Sequence, residues 1–218
     1  MLVRDIMTKD VITVTPDTHL IEVKRLVEEN KLKRIPVVDS KGRLLGVVTD
    51  GMVTSISSQY AGAKNWYDYA YNVGAMFRTP VKEVMNKAVV TVKPNATVEE
   101  ALALAQMKRV GSLIVVDDNN KVVGIVTTND FFYRIVNPVL GIGLPGYRLW
   151  VEDGGEGKAL EEIISTINKL CAKIVTLHII VPPDHEKKDL VIHVDCEKPE
   201  ELIEALRKKG YEADIRRR

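Results

Sequence analysis

The chain writes one phrase twice, GVVTDGMV at 46–53 and GIVTTNDF at 124–131. Each copy runs Gly, two β-branched residues and Thr. Three residues beyond the Thr, the first copy has Met52 and the second has Asp130. A carboxylate can accept hydrogen bonds from both hydroxyls of a cis-diol at once, and charge-assisted bonds of this kind contribute about 1.5–3 kcal/mol. A thioether accepts almost nothing. Asp is also common where helices start. Thr127 and Asp130 are therefore candidates for recognising a sugar and for capping a helix, and Met52 can do neither through its side chain.

The elements that must position these residues are duplicated too. Slid by 78 positions, Met7 falls on Met85, Thr13 on Thr91, Pro16 on Pro94, Val37-Val38-Asp39 on Val115-Val116-Asp117, and Thr49 on Thr127, without a gap. So long a register marks an internal repeat. Each copy has a short β-rich run (VITV, AVVTV), a Pro-marked turn and an amphipathic helix. TVEE at 97–100 supplies a capping box for the second of these helices. Two strands follow in each copy, IPVVD and LLGVVT, then LIVVD and VVGIVT, joined by the turns DSKGR and DDNNK; a second helix follows each Thr. Continuous apolar strands such as LIVV predict burial on both faces. One copy alone would leave an apolar face open, so two are expected to pack by pseudo-twofold symmetry.

Strand–helix–strand–strand–helix order, the hPVVD strand and the GhVTxxD ending resemble the cystathionine β-synthase (CBS) domain, present as a tandem pair over roughly residues 1–140. The resemblance implies that an adenine nucleotide (AMP, ADP or ATP) or S-adenosylmethionine sits in a cleft between the copies. Carried onto this sequence, one cleft joins Thr127 and Asp130 to Ile12, Leu32, Lys33 and Arg34, the last two at the place from which family members reach phosphate. Arg offers a planar fork for phosphate oxygens, although a basic pair at a strand start is also an ordinary solvated patch. The opposite cleft joins Thr49 and Met52 to Val90, Val110, Gly111 and Ser112. It has no carboxylate, and VGS stands where the first copy has LKR. The resemblance thus implies one competent cleft and one degenerate one.

Between the copies, 57–79 crowds Tyr60, Trp66, Tyr67, Tyr69 and Tyr71 into a stretch that the duplication does not explain. With no basic stripe beside them, packing is favoured over base stacking. After the Gly/Pro-rich linker GIGLPG (141–146) the pattern changes to β-α-β-β-α-β. The helix KALEEIISTINKLCAKI carries Leu160, Ile163, Ile164, Ile167 and Leu170 on one face. This order is ferredoxin-like and, after a CBS pair, resembles the ACT domain. Gly157 stands for that family's helix-starting glycine, but DGGEG lacks its usual proline and is differently spaced, which leaves amino-acid binding there open. If Val181 pairs with Leu190, His178 stands opposite His193 on the open face, a weak metal candidate without a third ligand.

At 218 residues with 45% hydrophobic and 28% charged positions, the chain reads as an ordinary globular protein, and a net charge of +1 gives no pull towards nucleic acid or anionic membrane. MLVRDIMTKD has no apolar signal-peptide core, and Cys171 and Cys196 have no metal-ligand spacing. Buried reduced thiols in a cytoplasmic protein are expected. No activated nucleophile, metal triad or dinucleotide fingerprint stands out.

The expectation is an α/β (α+β) protein. CBS repeat 1 spans 1–56, the insert 57–79, CBS repeat 2 80–140, a linker 141–146 and an ACT-like domain 147–218. The whole resembles regulatory proteins of the acetoin-utilisation type. Such a protein would be a non-catalytic homodimeric sensor with no resident cofactor and an unidentified regulated partner. A structural adaptor with inactive sites is the alternative, ahead of an enzyme or a nucleic-acid-binding regulator.

Overall fold

The computed structural model describes residues 1–61, 74, 76–171, 173–183 and 186–218, with backbone alone over 56–61. The Tyr60 side chain, Trp66, Tyr67, Tyr69, Tyr71 and His185 lie outside the described residues. The chain forms two compact units, Met1–Phe132 and Tyr133–Arg218.

In the first unit, α1 (Val3–Ile6) and α2 (Leu20–Asn30) lead into β1 (Arg34–Val38), β2 (Leu44–Thr49) and α3 (Asp50–Ala61). The second copy supplies a 3-10 turn (Val81–Glu83), β3 (Thr91–Val92), α4 (Val98–Lys108), β4 (Ser112–Val116), β5 (Val122–Thr127) and α5 (Thr128–Phe131). The leading strands are shorter than their sequences predict. VITV contributes a bridge from Val14 to Val37, and AVVTV a two-residue strand parallel to β4. Pro16 and Pro94 lie two residues further on, and a proline there offers no N–H with which to continue a ladder.

The two hairpins are near copies. β1 pairs antiparallel with β2 and β4 with β5, with irregularities at corresponding places, Val37/Val38 and Val115/Val116. Their turns are built alike. Asp39 accepts from the backbone N–H groups of Lys41 and Arg43, and Asp117 from those of Asn119 and Lys121. The left-handed residue is Gly42 in one and Asn120 in the other, the two residue types that tolerate it best. The Arg43 backbone N–H, with its guanidinium adding to the effect, holds the Asp39 carboxyl below its ordinary value.

What joins the copies is an exchange of their leading segments. The backbone N–H groups of Val3 and Arg4 donate to the carbonyls of Ala96 and Pro94 in the other copy. In the symmetric set, Val81 and Lys82 donate to Thr18 and Pro16. Thr8 then bridges Ile125 of β5, and Asn86 bridges Val47 of β2. The methionines just before these bridges lie over the repeated glycines. A Cβ added to Gly124 would stand 2.5 Å from the Met7 Sδ, and one added to Gly46 2.8 Å from the Met85 Sδ. The Gly that opens each repeated phrase is therefore required by the crossing segment. Ile35, Val37 and Val48 pack with Leu20, Val23 and Val81 in the core of the first copy.

In the second unit, α6 (Asn137–Leu140) precedes β6 (Tyr147–Val151), α7 (Gly157–Leu170), β7 (Lys173–Ile180), β8 (Asp189–Asp195), α8 (Pro199–Lys208) and β9 (Ala213–Arg217). The sheet order is β7-β8-β6-β9 with antiparallel neighbours throughout. That is the ferredoxin-like arrangement of a split βαβ. Leu149, Val151, Leu190, Ile192 and Val194 form its core with Ile163 and Ile167 of α7 and Leu202 and Leu206 of α8.

Two expectations are corrected here. The first helix stops at Leu170, whose side chain is 37% exposed instead of sharing the buried face, and Cys171 is already extended. Cys171 and Cys196 are joined as a disulfide, not held as separate thiols. Their separation of 25 residues hid a proximity that the hairpin creates, because Lys173 pairs with Asp195 next to them.

Two outcomes test this packing. Gly124→Ala should lower the unfolding free energy by about 1–3 kcal/mol, the usual cost of overpacking, read as a fall in the denaturation midpoint; an unchanged midpoint would mean that Met7 moves aside freely. Reduction with dithiothreitol, or Cys171→Ser, should cost the second unit about 3 kcal/mol on the chain-entropy estimate for a loop of this length. Equal melting of oxidised and reduced protein would sink the staple.

Candidate functional site

Thr127 caps the N-terminus of α5, and Asp130 returns the bond. The Thr127 Oγ1 accepts from the Asp130 N–H at 3.4 Å. Asp130 Oδ2 accepts from the Thr127 N–H at 2.8 Å and from the Thr127 hydroxyl at 2.7 Å. This is a capping box with Asp in the role usually taken by Glu or Gln. The two sequence readings, helix cap and polar recognition, thus fall on one carboxylate with a fixed orientation. In the first copy the Met52 N–H donates to the Thr49 Oγ1 at 3.2 Å. Met52 has no oxygen with which to reciprocate, so Thr49 caps alone.

The strand starts sit beside the Thr of their own copy. Arg34 pairs with Thr49 and Ser112 with Thr127. The Asp50 N–H donates to the Lys33 carbonyl at 3.0 Å and the Thr128 N–H to the Gly111 carbonyl at 3.2 Å. The Arg34 side chain crosses between copies. A Cβ built at Gly111 would lie 3.6 and 3.9 Å from its two terminal guanidinium nitrogens. A lysine at 111, matching Lys33 in the other copy, would set two cations against each other there. Arg34 is half-buried and Lys33 exposed.

The guanidinium of Arg34 therefore stands against the residue whose carbonyl binds Thr128, next to the Thr127–Asp130 box. Gly111 and Ser112, which the sequence assigned to the opposite cleft, flank this same corner. Ile12, Leu32, Val90 and Val110 are all half-buried. Val110 and Gly111 also line an apolar hollow of about 320 Å³ with Leu102, Ala105, Thr128 and Phe131. Sequence reasoning missed Leu102, Ala105 and Phe131. Phe131 directly follows Asp130, but an aromatic at the start of a helix reads as ordinary core.

The histidine pair is corrected. In the β7–β8 register, Ile179 faces Leu190, His178 faces Val191, and Thr176 faces His193. This is two residues away from the expected pairing. Val181 is left beyond the strand, ahead of Pro182 and Pro183, neither of which has an N–H to donate. His193 is buried, with Nε2 3.0 Å from the Pro145 carbonyl. Gly141 and Gly146 press against its ring, where an added Cβ would come within 2.6 and 2.8 Å of ring nitrogens. Among the described residues, no group of three His, Cys, Asp or Glu side chains is placed to hold a metal ion, and no helix is long and apolar enough to cross a membrane.

A duplicated α/β module with exchanged leading segments and a polar corner between its copies defines a tandem-repeat architecture. The CBS domain pattern matches residues 3–57 and 81–137, just over half of the chain. The chain belongs to the CBS domain family. It is 34% identical over 130 residues to the inosine-5'-monophosphate dehydrogenase of Methanocaldococcus jannaschii, a match covering 60% of this chain and 23% of that enzyme. The chain thus spans about a quarter of that relative. A putative acetoin utilization protein (AcuB) from Vibrio cholerae has 28% identity and a TM-score of 0.52, over 63% of this chain and 91% of its own. The CBS domain pair of protein MJ0100, solved with 5'-methylthioadenosine and S-adenosyl-L-methionine, has a TM-score of 0.51 at 23% identity, over 63% of this chain and 97% of its own. At that identity the likeness is one of fold.

The unequal caps predict opposite responses to substitution. Asp130→Ala should destabilise the first unit by about 1 kcal/mol, and Met52→Asp should stabilise it by up to a similar amount, as cap deletions and additions do. Urea midpoints measure both. Equal losses from the two substitutions would show that residue 52 has no place in a box.

Proposed function

We propose that the protein is a non-catalytic sensor in which the CBS pair binds one adenine nucleotide or S-adenosyl compound between its copies. Arg34 carries this reading. It is a cation from one copy, brought over Gly111 to the corner where the other copy fixes Thr127 and Asp130. Asp130 would accept from the ribose hydroxyls, Arg34 and the exposed Lys33 would meet phosphate or carboxylate, and Ile12 and Leu32 would give the base an apolar wall. MJ0100, which shares the fold, was itself solved with 5'-methylthioadenosine and S-adenosyl-L-methionine. The opposite cleft, about Thr49, Met52, Val90 and Val110, would be degenerate, with Gly111 and Ser112 bordering the corner that Arg34 enters.

In this reading the ferredoxin-like second unit is an ACT-like domain, and it or a homodimer reports occupancy. Gly157 opens α7 at φ 57, which is consistent with a helix-starting glycine. The regulated partner is a further protein. The adaptor reading, with both clefts inactive, is the alternative.

Calorimetric titration with AMP, ADP, ATP, S-adenosylmethionine and NAD tests the proposal. One ligand should bind at about one site per chain. Asp130→Ala and Arg34→Ala should each weaken it about 10- to 100-fold, the equivalent of one charge-assisted contact. Two equal sites would overturn the asymmetry. No binding to any of the five would favour the adaptor.

A further inference from the structure

The two sulfurs of the Cys171–Cys196 disulfide sit in unlike settings. Cys171 is half-buried at the C-cap of α7, and Cys196 is buried in the core of the second unit. The flanking charges differ as well. Lys169 and Lys173 stand two residues either side of Cys171, and Asp195 and Glu197 directly beside Cys196, all four exposed. A disulfide opens when a thiolate attacks one sulfur and the other leaves, and both access and surrounding charge set which is attacked. An incoming anion is therefore drawn to the Cys171 sulfur, and Cys196 is the leaving group.

A second observation concerns the sulfur that leaves. Cys196 Sγ lies 3.7 Å from the Leu170 carbonyl oxygen, yet a disulfide sulfur has no proton to donate. That carbonyl belongs to the last turn of α7, where carbonyls have no partner within the helix. Once reduced, the Cys196 thiol gains an S–H, and its acceptor is already in place. A fixed staple has no use for a hydrogen bond that only the reduced state can make. The strand pairing also keeps the change local. On the cysteine side of the β7 irregularity, Lys173 pairs with Asp195 and Ile174 with Val194, and the ladder resumes at Thr176. A bulge disrupts a ladder where it sits, so freeing this end leaves the rest of β7 paired.

We propose that Cys171–Cys196 is a reversible redox site, opened at Cys171 by a dithiol reductant. The reductant's thiolate attacks Cys171 Sγ and forms a mixed disulfide there, while the Cys171–Cys196 bond breaks and its electron pair goes to Cys196. Cys196 takes up a proton and donates to the Leu170 carbonyl. The reductant's second thiol then attacks its own sulfur in the mixed disulfide and releases Cys171. Two electrons and two protons pass from the dithiol to the cysteines, and the reductant departs as a disulfide. Reduction unclamps the end of α7 and the start of β7 from the end of β8, and the core about Leu149, Ile163 and Leu202 stays closed.

Brief exposure of the full oxidised chain to reduced glutathione, quenched with N-ethylmaleimide, tests the direction of attack. Peptide mass spectrometry should find the glutathione on Cys171. Lys169→Gln and Lys173→Gln should each slow its arrival about 2- to 5-fold, the weight of an exposed charge pair. Glutathione on Cys196, or on both cysteines equally, overturns the proposal. Amide hydrogen exchange before reduction with dithiothreitol, after it, and after reoxidation tests reversibility. Exchange should rise at Leu170, Cys171, Lys173 and Asp195 while the core stays protected, and reoxidation should restore the first pattern. A bond that opens only once urea has unfolded the second unit, or a reduced chain whose core exchanges throughout, marks a fixed staple and overturns the proposal too.

Discussion

Everything in the first unit depends on the exchange of leading segments across the pseudo-twofold. A copy with strands apolar on both faces, such as fully buried β4, cannot be stable with one face open to water. The sequence solves this by laying Val3, Arg4, Met7 and Thr8 on the second copy and Val81, Lys82, Met85 and Asn86 on the first. Because both crossings run over β2 and β5, these strands must lack side chains where the methionines pass, which fixes Gly46 and Gly124. The phrases GVVT and GIVT are then read from their first letter as a packing constraint and from their last as a helix cap.

The same symmetry makes departures from it informative. Where the copies agree, as in Asp39 and Asp117 or Gly42 and Asn120, the shared residue builds a turn. Where they differ, as in Met52 against Asp130 and Arg34 against Ser112, no element of the fold requires the difference. β1 and β4 pair alike and both helices start alike at a Thr. Charge has been concentrated on one side of the axis, with a guanidinium and a carboxylate approaching one corner from different copies. A structural cap does not need a cation from the neighbouring copy, so the conjunction is the feature that a purely structural account leaves unexplained.

Much of this was legible in the sequence because it rests on periodicity and repetition. The ungapped register gave the paired hairpins, and the helix-period apolar face gave Ile163 and Ile167. The exchange itself was not legible. Residues 1–8 carry no pattern that names the copy they will pair with, and the contact is settled by tertiary burial. The Cys171–Cys196 bond was hidden because cysteine spacing says nothing about two strand ends meeting. The histidine register was missed for a local reason: the bulge and the two prolines after Val181 set where β7 ends, and a pairing judged from apolar alternation is blind to a shift of two residues, which leaves every face unchanged.

A ligand shifts an equilibrium only by binding one arrangement more tightly than another. The copies of the first unit are joined by crossings of a few backbone hydrogen bonds each, beside a corner where opposite charges come from opposite copies. A dianionic group held there would draw Arg34 towards the Thr127–Asp130 box and tighten the same interface that the crossings hold. A neutral compound would leave the guanidinium facing only its own protein. On the proposed reading, the energy of any switch would depend on the anionic charge brought to Arg34 as well as on the base, two negative charges from a nucleotide phosphate against one from the carboxylate of S-adenosylmethionine.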